Sequence, residues 1–210
     1  MMMEDGLLID GAREDAQTIV LAHGAGAPMD SPFMNTIAEG LARNWIRVVR
    51  FEFRYMKARR EGGRRGAPDR EPVLIEAWRE VIARLGGGAR LVIGGKSLGG
   101  RIASMVADDA GARGVVCLGY PFHPPGQPAR SRVKHLETLR TPALIVQGTR
   151  DMFGQPEEVK DYKLSRQIRI EWIEDGDHSL KPRARSRRTE ADNLAAAIAA
   201  VSGFVKELAG

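Results

Sequence analysis

One stretch limits the folds open to this chain more than any other. The apolar run Leu91-Val92-Ile93 passes through Gly94-Gly95-Lys96 to Ser97, and Leu98-Gly99-Gly100-Arg101 then opens a small-residue helix. A short buried strand must therefore turn at once into a helix, with Ser97 at the apex of a Gly-x-Ser-x-Gly pattern. Glycine on either side of the apex removes Cβ where strand and helix come together. A serine so placed projects from the end of a sheet, beside a helix N-terminus that favours developing negative charge. Gly95-Lys96-Ser97 also matches the end of a phosphate-binding loop. That motif needs a glycine where Arg90 stands, and the strand fills the space of its cradle, so the nucleotide reading is rejected.

Around this turn, apolar strands alternate with amphipathic helices, which predicts an α/β fold with a mainly parallel sheet. Gln17–Ala22 reads as a buried strand ending at His23-Gly24-Ala25-Gly26. Ser31 and Pro32 mark a helix start, followed by an apolar face of Phe33, Met34, Ile37, Ala38, Leu41 and Ala42. Ile46–Phe53 is the next strand, Arg54–Arg70 a long basic loop, and Pro72–Leu85 a helix stopped by Gly86-Gly87-Gly88. Val115–Leu118 and Ala143–Gln147 are further buried strands, separated by a proline-rich loop. Ile168, Ile170 and Trp172 alternate with Arg169 and Glu171, the pattern of an edge strand. A last helix spans about Thr189–Leu208. The expectation is a three-layer fold with a sheet of about six to seven strands, in a single domain over 1–210 with no cap.

At 210 residues the chain can bury a sizeable core. Its one cysteine, Cys117, sits in an apolar strand and reads as a buried thiol. The acidic N-terminus resembles no signal segment, and no apolar run approaches membrane-spanning length, so a cytoplasmic protein without membrane contact is expected. The net charge of +5 raises nucleic-acid binding, but no basic motif interleaved with aromatics appears and no zinc-ligand spacing. Neither nucleic acid, nor a metal, nor a cofactor is expected, and the chain reads as a monomer or homodimer.

A serine hydroxyl needs a base, and the base needs an acid to hold its tautomer. After Ser97, Asp151 follows the strand Ala143–Gln147, and His178 follows the edge strand in Asp175-Gly176-Asp177-His178. In a parallel sheet the carboxyl ends of strands converge, so the three can meet. Asp175 and Asp177 are rival acids, but Asp177 adjoins His178, and adjacent side chains rarely face each other. His135 lies in a basic stretch and reads as solvated, His123 sits in the proline-rich loop, and His23 at a strand end. The backbone N–H of Leu98 is one expected oxyanion donor. The second is Ala25, with Gly26 as the alternative. Arg54, Tyr55, Tyr120 and His123 are the expected substrate-binding residues.

The segments His23-Gly24-Ala25-Gly26-Ala27, Arg50-Phe51-Glu52-Phe53, Gly95-Lys96-Ser97-Leu98-Gly99, Gly119-Tyr120-Pro121-Phe122-His123-Pro124-Pro125-Gly126, Gly148-Thr149-Arg150-Asp151 and Gly176-Asp177-His178 together resemble the α/β-hydrolase superfamily over nearly the whole chain. More narrowly the chain resembles small lid-less bacterial hydrolases related to the testis-expressed protein 30 group, with dienelactone hydrolases as distant cousins. The resemblance implies nucleophile Ser97, acid Asp151 and base His178. Dienelactone hydrolases carry cysteine at the elbow, where this chain has serine, so their particular chemistry does not transfer.

The expected function is a serine hydrolase acting on a small ester, thioester or related acyl bond. Some eukaryotic relatives serve as complex subunits, so the alternative is a non-catalytic binding or scaffold protein of the same fold. Two basic runs leave the carboxyl edge of the sheet, one from Arg54 to Arg70 and one from Lys181 to Arg188. They raise the expectation of an electropositive mouth and an anionic substrate, against the simpler reading of solvated surface charge.

Overall fold

The inner strands are apolar at nearly every position, and the structure shows why: both faces of the sheet are covered. The computed structural model describes residues 1–11, 17–63 and 66–209. Its strands are β1 (Met2–Glu4), β2 (Leu7–Asp10), β3 (Thr18–Ala22), β4 (Arg47–Phe51), β5 (Leu91–Lys96), β6 (Gly114–Leu118), β7 (Ala143–Gly148) and β8 (Ile168–Ile173). They form one sheet of eight strands in the order β1-β2-β4-β3-β5-β6-β7-β8. β1 and β2 run antiparallel to their neighbours, and β3 to β8 are parallel.

The count exceeds the expected six to seven strands because the first ten residues form a hairpin. Asp5 and Gly6 both take positive φ, at 45° and 79°, as a tight hairpin turn demands. Asp-Gly before Leu7-Leu8 was the available signal for it.

Side chains alternate between the two faces along each strand. Ile19, Leu21, Val48, Val92, Val116 and Val146 join a core with α1 (Pro32–Arg43) and α6 (Glu190–Glu207). Val20, Val49, Ile93, Val115 and Ile145 join the opposite core with α3 (Glu71–Arg84) and α4 (Leu98–Val106). Trp78 of α3 is fully buried there, edge-on to Phe51. α5 (Pro156–Val159) is a single turn after β7. Among the described residues no helical insertion stands over the strand ends, and no helix is long and apolar enough to cross a membrane.

The expected loop 54–70 is not a loop throughout. Arg54–Arg60 forms α2, which buries Tyr55 and Met56. Its residues are good helix formers, and Lys57, Arg59 and Arg60 fall in the last turn, where cations oppose the helix dipole favourably. The charge density and nearby glycines obscured this. Arg64 and Arg65 lie outside the described residues.

The chain leaves β3 to pair β4 on one side, then returns to place β5 on the other. The connections therefore diverge at the carboxyl end of β3, where open α/β sheets bind ligands. At this edge Ala22 pairs with Gly95, Lys96 with Leu118, and Gly148 with Ile173.

Candidate active site

Ser97 stands between β5 and α4 with φ 49° and ψ −110°, a strained backbone for a residue with a Cβ. The strain is held from both sides: Ser97 N–H donates to Leu118 O at 3.0 Å, and Ser97 O accepts from Arg101 N–H at 3.0 Å. The flanking glycines are needed for a reason beyond the turn itself. A Cβ on Gly95 or Gly99 would strike the carbonyl oxygen of Ala22 at the end of β3. The elbow is wedged against the neighbouring strand.

His178, on the loop after β8, lies 2.9 Å through Nε2 from Ser97 Oγ and 2.7 Å through Nδ1 from Asp151 Oδ2. An ionised carboxylate only accepts, so Nδ1 carries the proton and Nε2 accepts from the serine hydroxyl. Asp151 is fully buried. Its Oδ1 accepts from Phe153 N–H at 2.9 Å, and its Oδ2 also accepts from Gln147 Nε2 at 3.0 Å. Burial holds the His178 pKa below its ordinary 6.5, against the raising effect of the Asp151 hydrogen bond, with Lys96 adding to the lowering. The rivals are occupied elsewhere. Asp175 binds Arg183 at 2.6 Å, and Asp177 Oδ1 accepts the amides of Ser179 and Lys181.

Three participants had weak or no signal in sequence. Gln147 ends an otherwise apolar strand, and that break in pattern was its only sign. Its Oε1 accepts from Tyr120 N–H at 2.7 Å while its Nε2 reaches Asp151, which ties the loop after β6 to the acid. Phe153 packs its ring 4.2 Å from the His178 ring. Lys96, one residue before Ser97, lines the cavity that Ser97 and His178 border.

The loop 24–27 forms the opposite wall. His23 Nε2 accepts from Phe53 N–H at 3.1 Å, so its Nδ1 bears the proton and donates to Gly24 O at 2.7 Å. Tyr55 Oη lies 3.2 Å from Gly24 O and 3.3 Å from Ala25 O. Among the described residues all peptide bonds are trans. In a trans peptide C=O and N–H point in opposite directions. Anchoring Gly24 O towards His23 and Tyr55 therefore turns the Ala25 N–H away from both, and Ala25 itself lines the cavity. The same relation turns the Gly26 N–H away from Ala25 O. Among the described residues no hydrogen bond takes up the amides of Leu98, Ala25 or Gly26.

The cavity has a volume of roughly 320 Å³ and includes Gly24–Ala27, Ser31, Phe33, Lys96, Ser97, Phe153 and His178 in its walls. That is the lower range of small-molecule sites. Ser31 holds the N-cap position of α1 as expected, but its side chain makes no cap bond.

None of the four expected substrate-binding residues lines this cavity. Tyr120 is fully buried, and its hydroxyl donates to Arg132 O at 2.9 Å. His123 is buried, 2.7 Å from Pro124 O through Nδ1 and 3.4 Å from Glu158 through Nε2. Arg54 is ion-paired with Glu80 at 2.5 Å, and Tyr55 serves the loop from behind. His135 is not solvated either: it is half-buried beside Ser104 at 2.9 Å. Four cations of the basic runs are ion-paired, Arg54 with Glu80, Arg60 with Asp30 and Glu52, Lys181 with Glu190, and Arg183 with Asp175, while Lys57, Arg59, Arg70, Arg185, Arg187 and Arg188 form no ion pair among the described residues. Cys117 is buried as expected, and burial pushes its thiol pKa up.

Comparison with known proteins agrees with this architecture. The profile of the alpha/beta hydrolase domain family matches residues 15–206, and the chain belongs to that family. Among solved structures it is similar to XC6422 from Xanthomonas campestris, an α/β serine hydrolase without lid. The two share 19% identity over 94% of this chain and 88% of that one, with a TM-score of 0.68. A monoacylglycerol lipase from Paleococcus ferrophilus matches at 16% identity over 98% and 100% of the two chains, with a TM-score of 0.70. An alpha-beta serine hydrolase homologue from Coxiella burnetii matches at 19% identity over 96% and 89%, with a TM-score of 0.65. At these identities the likeness is one of fold.

Proposed function

We propose that this alpha/beta hydrolase is a serine hydrolase of small ester, thioester or related acyl bonds, working through an acyl-enzyme on Ser97. The observation that carries the reading is the continuous chain from Ser97 Oγ to His178 at 2.9 Å and from His178 to Asp151 at 2.7 Å, opening on a cavity. Ser97 Oγ attacks the substrate carbonyl as its proton passes to His178 Nε2. The negative charge gathering on the carbonyl oxygen is met by the amides of Leu98 and Ala25, with Gly26 as the alternative to Ala25. Collapse of the tetrahedral adduct breaks the acyl bond, and His178 returns the proton to the leaving group. A water then gives its proton to His178 and attacks the acyl-enzyme, and breaking the bond to Oγ releases the acid as His178 returns that proton to Ser97. Asp151 stays ionised and holds His178 in the tautomer the first step needs.

The same reading places the chain with the lid-less hydrolases of the testis-expressed protein 30 kind. An anionic acyl or leaving group is its narrower form, supported by Lys96 as a cation in the cavity wall. The test is a panel of esters and thioesters containing matched neutral and carboxylate-bearing pairs, run beside Ser97→Ala. The alanine variant is expected to lose on the order of 10⁴–10⁶ in kcat while staying folded. An active-site phosphonate should label Ser97 alone. Undiminished hydrolysis by Ser97→Ala, or labelling at another residue, would sink the proposal. Equal kcat/KM for each matched pair at low salt, unmoved by added salt, would remove its anionic form.

A further inference from the structure

Lys96 is an unusual neighbour for such a histidine. It ends β5, one residue before Ser97, and lines the cavity wall. Its Nζ donates a hydrogen bond to the backbone carbonyl of His178, and it lies 5.4 Å from the centre of the Phe33 ring. No described carboxylate is ion-paired with it; Asp151 and Asp177 act on it only through their charge at longer range.

Gly119 shows how closely these groups crowd. It takes φ +70°, and a Cβ there would lie 2.8 Å from Lys96 Nζ, 2.9 Å from His178 O and 3.2 Å from His178 Nδ1. The loop after β6 thus leaves one small space at this point. The ammonium, the His178 carbonyl and the edge of the imidazole all border it. Any side chain on Gly119 would push them apart.

We propose that Lys96 is a positioning residue for His178: its ammonium fixes the His178 backbone beside the serine, and its positive charge opposes formation of the imidazolium at rest. The proposal rests on the reading of Ser97 and His178 as nucleophile and base. Two like charges at this separation disfavour each other, so a charged Lys96 keeps the histidine a neutral acceptor at lower pH than it would otherwise be. Asp151 works the other way, through its hydrogen bond and its charge, as does Asp177 more weakly. Among the described residues the remaining faces bring no further charge onto the pair. α1 contributes the Phe33 ring, the loop after β7 adds the Phe153 ring, and Arg150 in that loop turns to Asp175 at 3.6 Å. Burial lowers the pKa of Lys96 itself to about 8, so the lysine is charged wherever His178 titrates.

The test compares wild type, Lys96→Met and Lys96→Arg. The His178 ring resonances are titrated by NMR, and kcat/KM is followed against pH on one neutral ester. In Lys96→Met the His178 titration and the acid limb of kcat/KM should both move up by about one unit. On the plateau, kcat should fall about tenfold with KM nearly unchanged, because the histidine loses its backbone anchor. Lys96→Arg keeps the charge and should leave the acid limb at its wild-type position. A folded Lys96→Met whose His178 titrates as in wild type would overturn the proposal, since lost packing alone would not move a titration. If Lys96→Met does not fold, wild type decides. Its His178 signal should show a second inflection near pH 8 as Lys96 deprotonates, and a flat trace there would refute the idea. The NMR arm needs no turnover. An inert enzyme with the shifted titration would reject the hydrolase reading and keep the coupling, whereas an active enzyme with no shift would do the reverse.

Discussion

The two walls of the cavity are made differently. On one side stand Ser97 and His178, backed by the buried Asp151, side chains whose chemistry belongs to the residue and whose placement follows from strand ends. On the other stands the loop 24–27, which contributes backbone amides. Those amides are aimed indirectly: His23 and Tyr55 hold the carbonyl of Gly24, and the trans peptide turns the Ala25 N–H the opposite way. The first wall depends on which residues are present. The second depends on which carbonyls are tied down, and by what.

The first wall should break hardest. Asp151→Asn keeps the shape but can present an amide N–H to His178 Nδ1, favouring the wrong tautomer. A loss of about 10³–10⁴ in kcat is expected. Asp177→Asn is the control, because its Oδ1 accepts the Ser179 and Lys181 amides and an asparagine oxygen can do the same. Steady-state kinetics of the two variants on one ester decides the matter. Comparable losses would mean that the acid is shared, and the contrast between the walls would fail on its stronger side.

This difference also explains what could be read from the chain beforehand. The parallel sheet, the elbow and the order serine, acid, histidine were legible because apolar runs and turn glycines set strand ends, and strand ends gather polar residues. α2 was missed because high charge and glycine mimic a loop, although Tyr55 and Met56 supply a buried face. Tyr120 and His123 stood in a plausible loop, yet a residue's place after a strand does not say which way it turns. Gln147 inside the sheet draws Tyr120 N–H inward, and the Tyr120 hydroxyl reaches Arg132. Lys96 was visible within the motif itself, but only the space at Gly119 reveals its partner.

The second wall should yield more gently, because Gly24 O has two anchors. Tyr55→Phe removes the hydroxyl and leaves His23 Nδ1 in place. Loss of a whole oxyanion donor costs about 10²–10³ in kcat, so loosening one of two supports should cost about tenfold, with KM little changed. Phosphonate labelling of Ser97 should slow in parallel, because in the proposed mechanism the phosphonyl oxygen would use the same amides. A variant with wild-type kcat and labelling rate would show that Tyr55 does not help aim the loop.

The smallest effect concerns a histidine with a similar hydrogen-bonded surrounding but no outlet to the cavity. The Ser104 hydroxyl donates to Arg101 O at 2.7 Å and the Tyr120 hydroxyl to Arg132 O, so both oxygens remain as acceptors for the N–H on His135 Nε2. These acceptors fix a proton on Nε2, and burial disfavours a second one on the ring. Burial, with the Arg101 charge adding to it, lowers its pKa to about 4 from 6.5. Between those values the unfolded chain binds a proton at this site that the folded protein refuses, so stability must fall as pH drops from about 6.5 to 4, and this contribution flattens below. His23 and His178 are lowered as well and share in the slope. His135→Gln can still donate to Ser104 but carries no proton-binding group. Its urea midpoint should therefore decline less over that interval than the wild-type midpoint, while kcat on the chosen ester stays close to wild type. Parallel midpoint curves would mean that His135 accepts its proton in the folded state, and that burial and the Arg101 charge exclude a second proton less well than the packing implies.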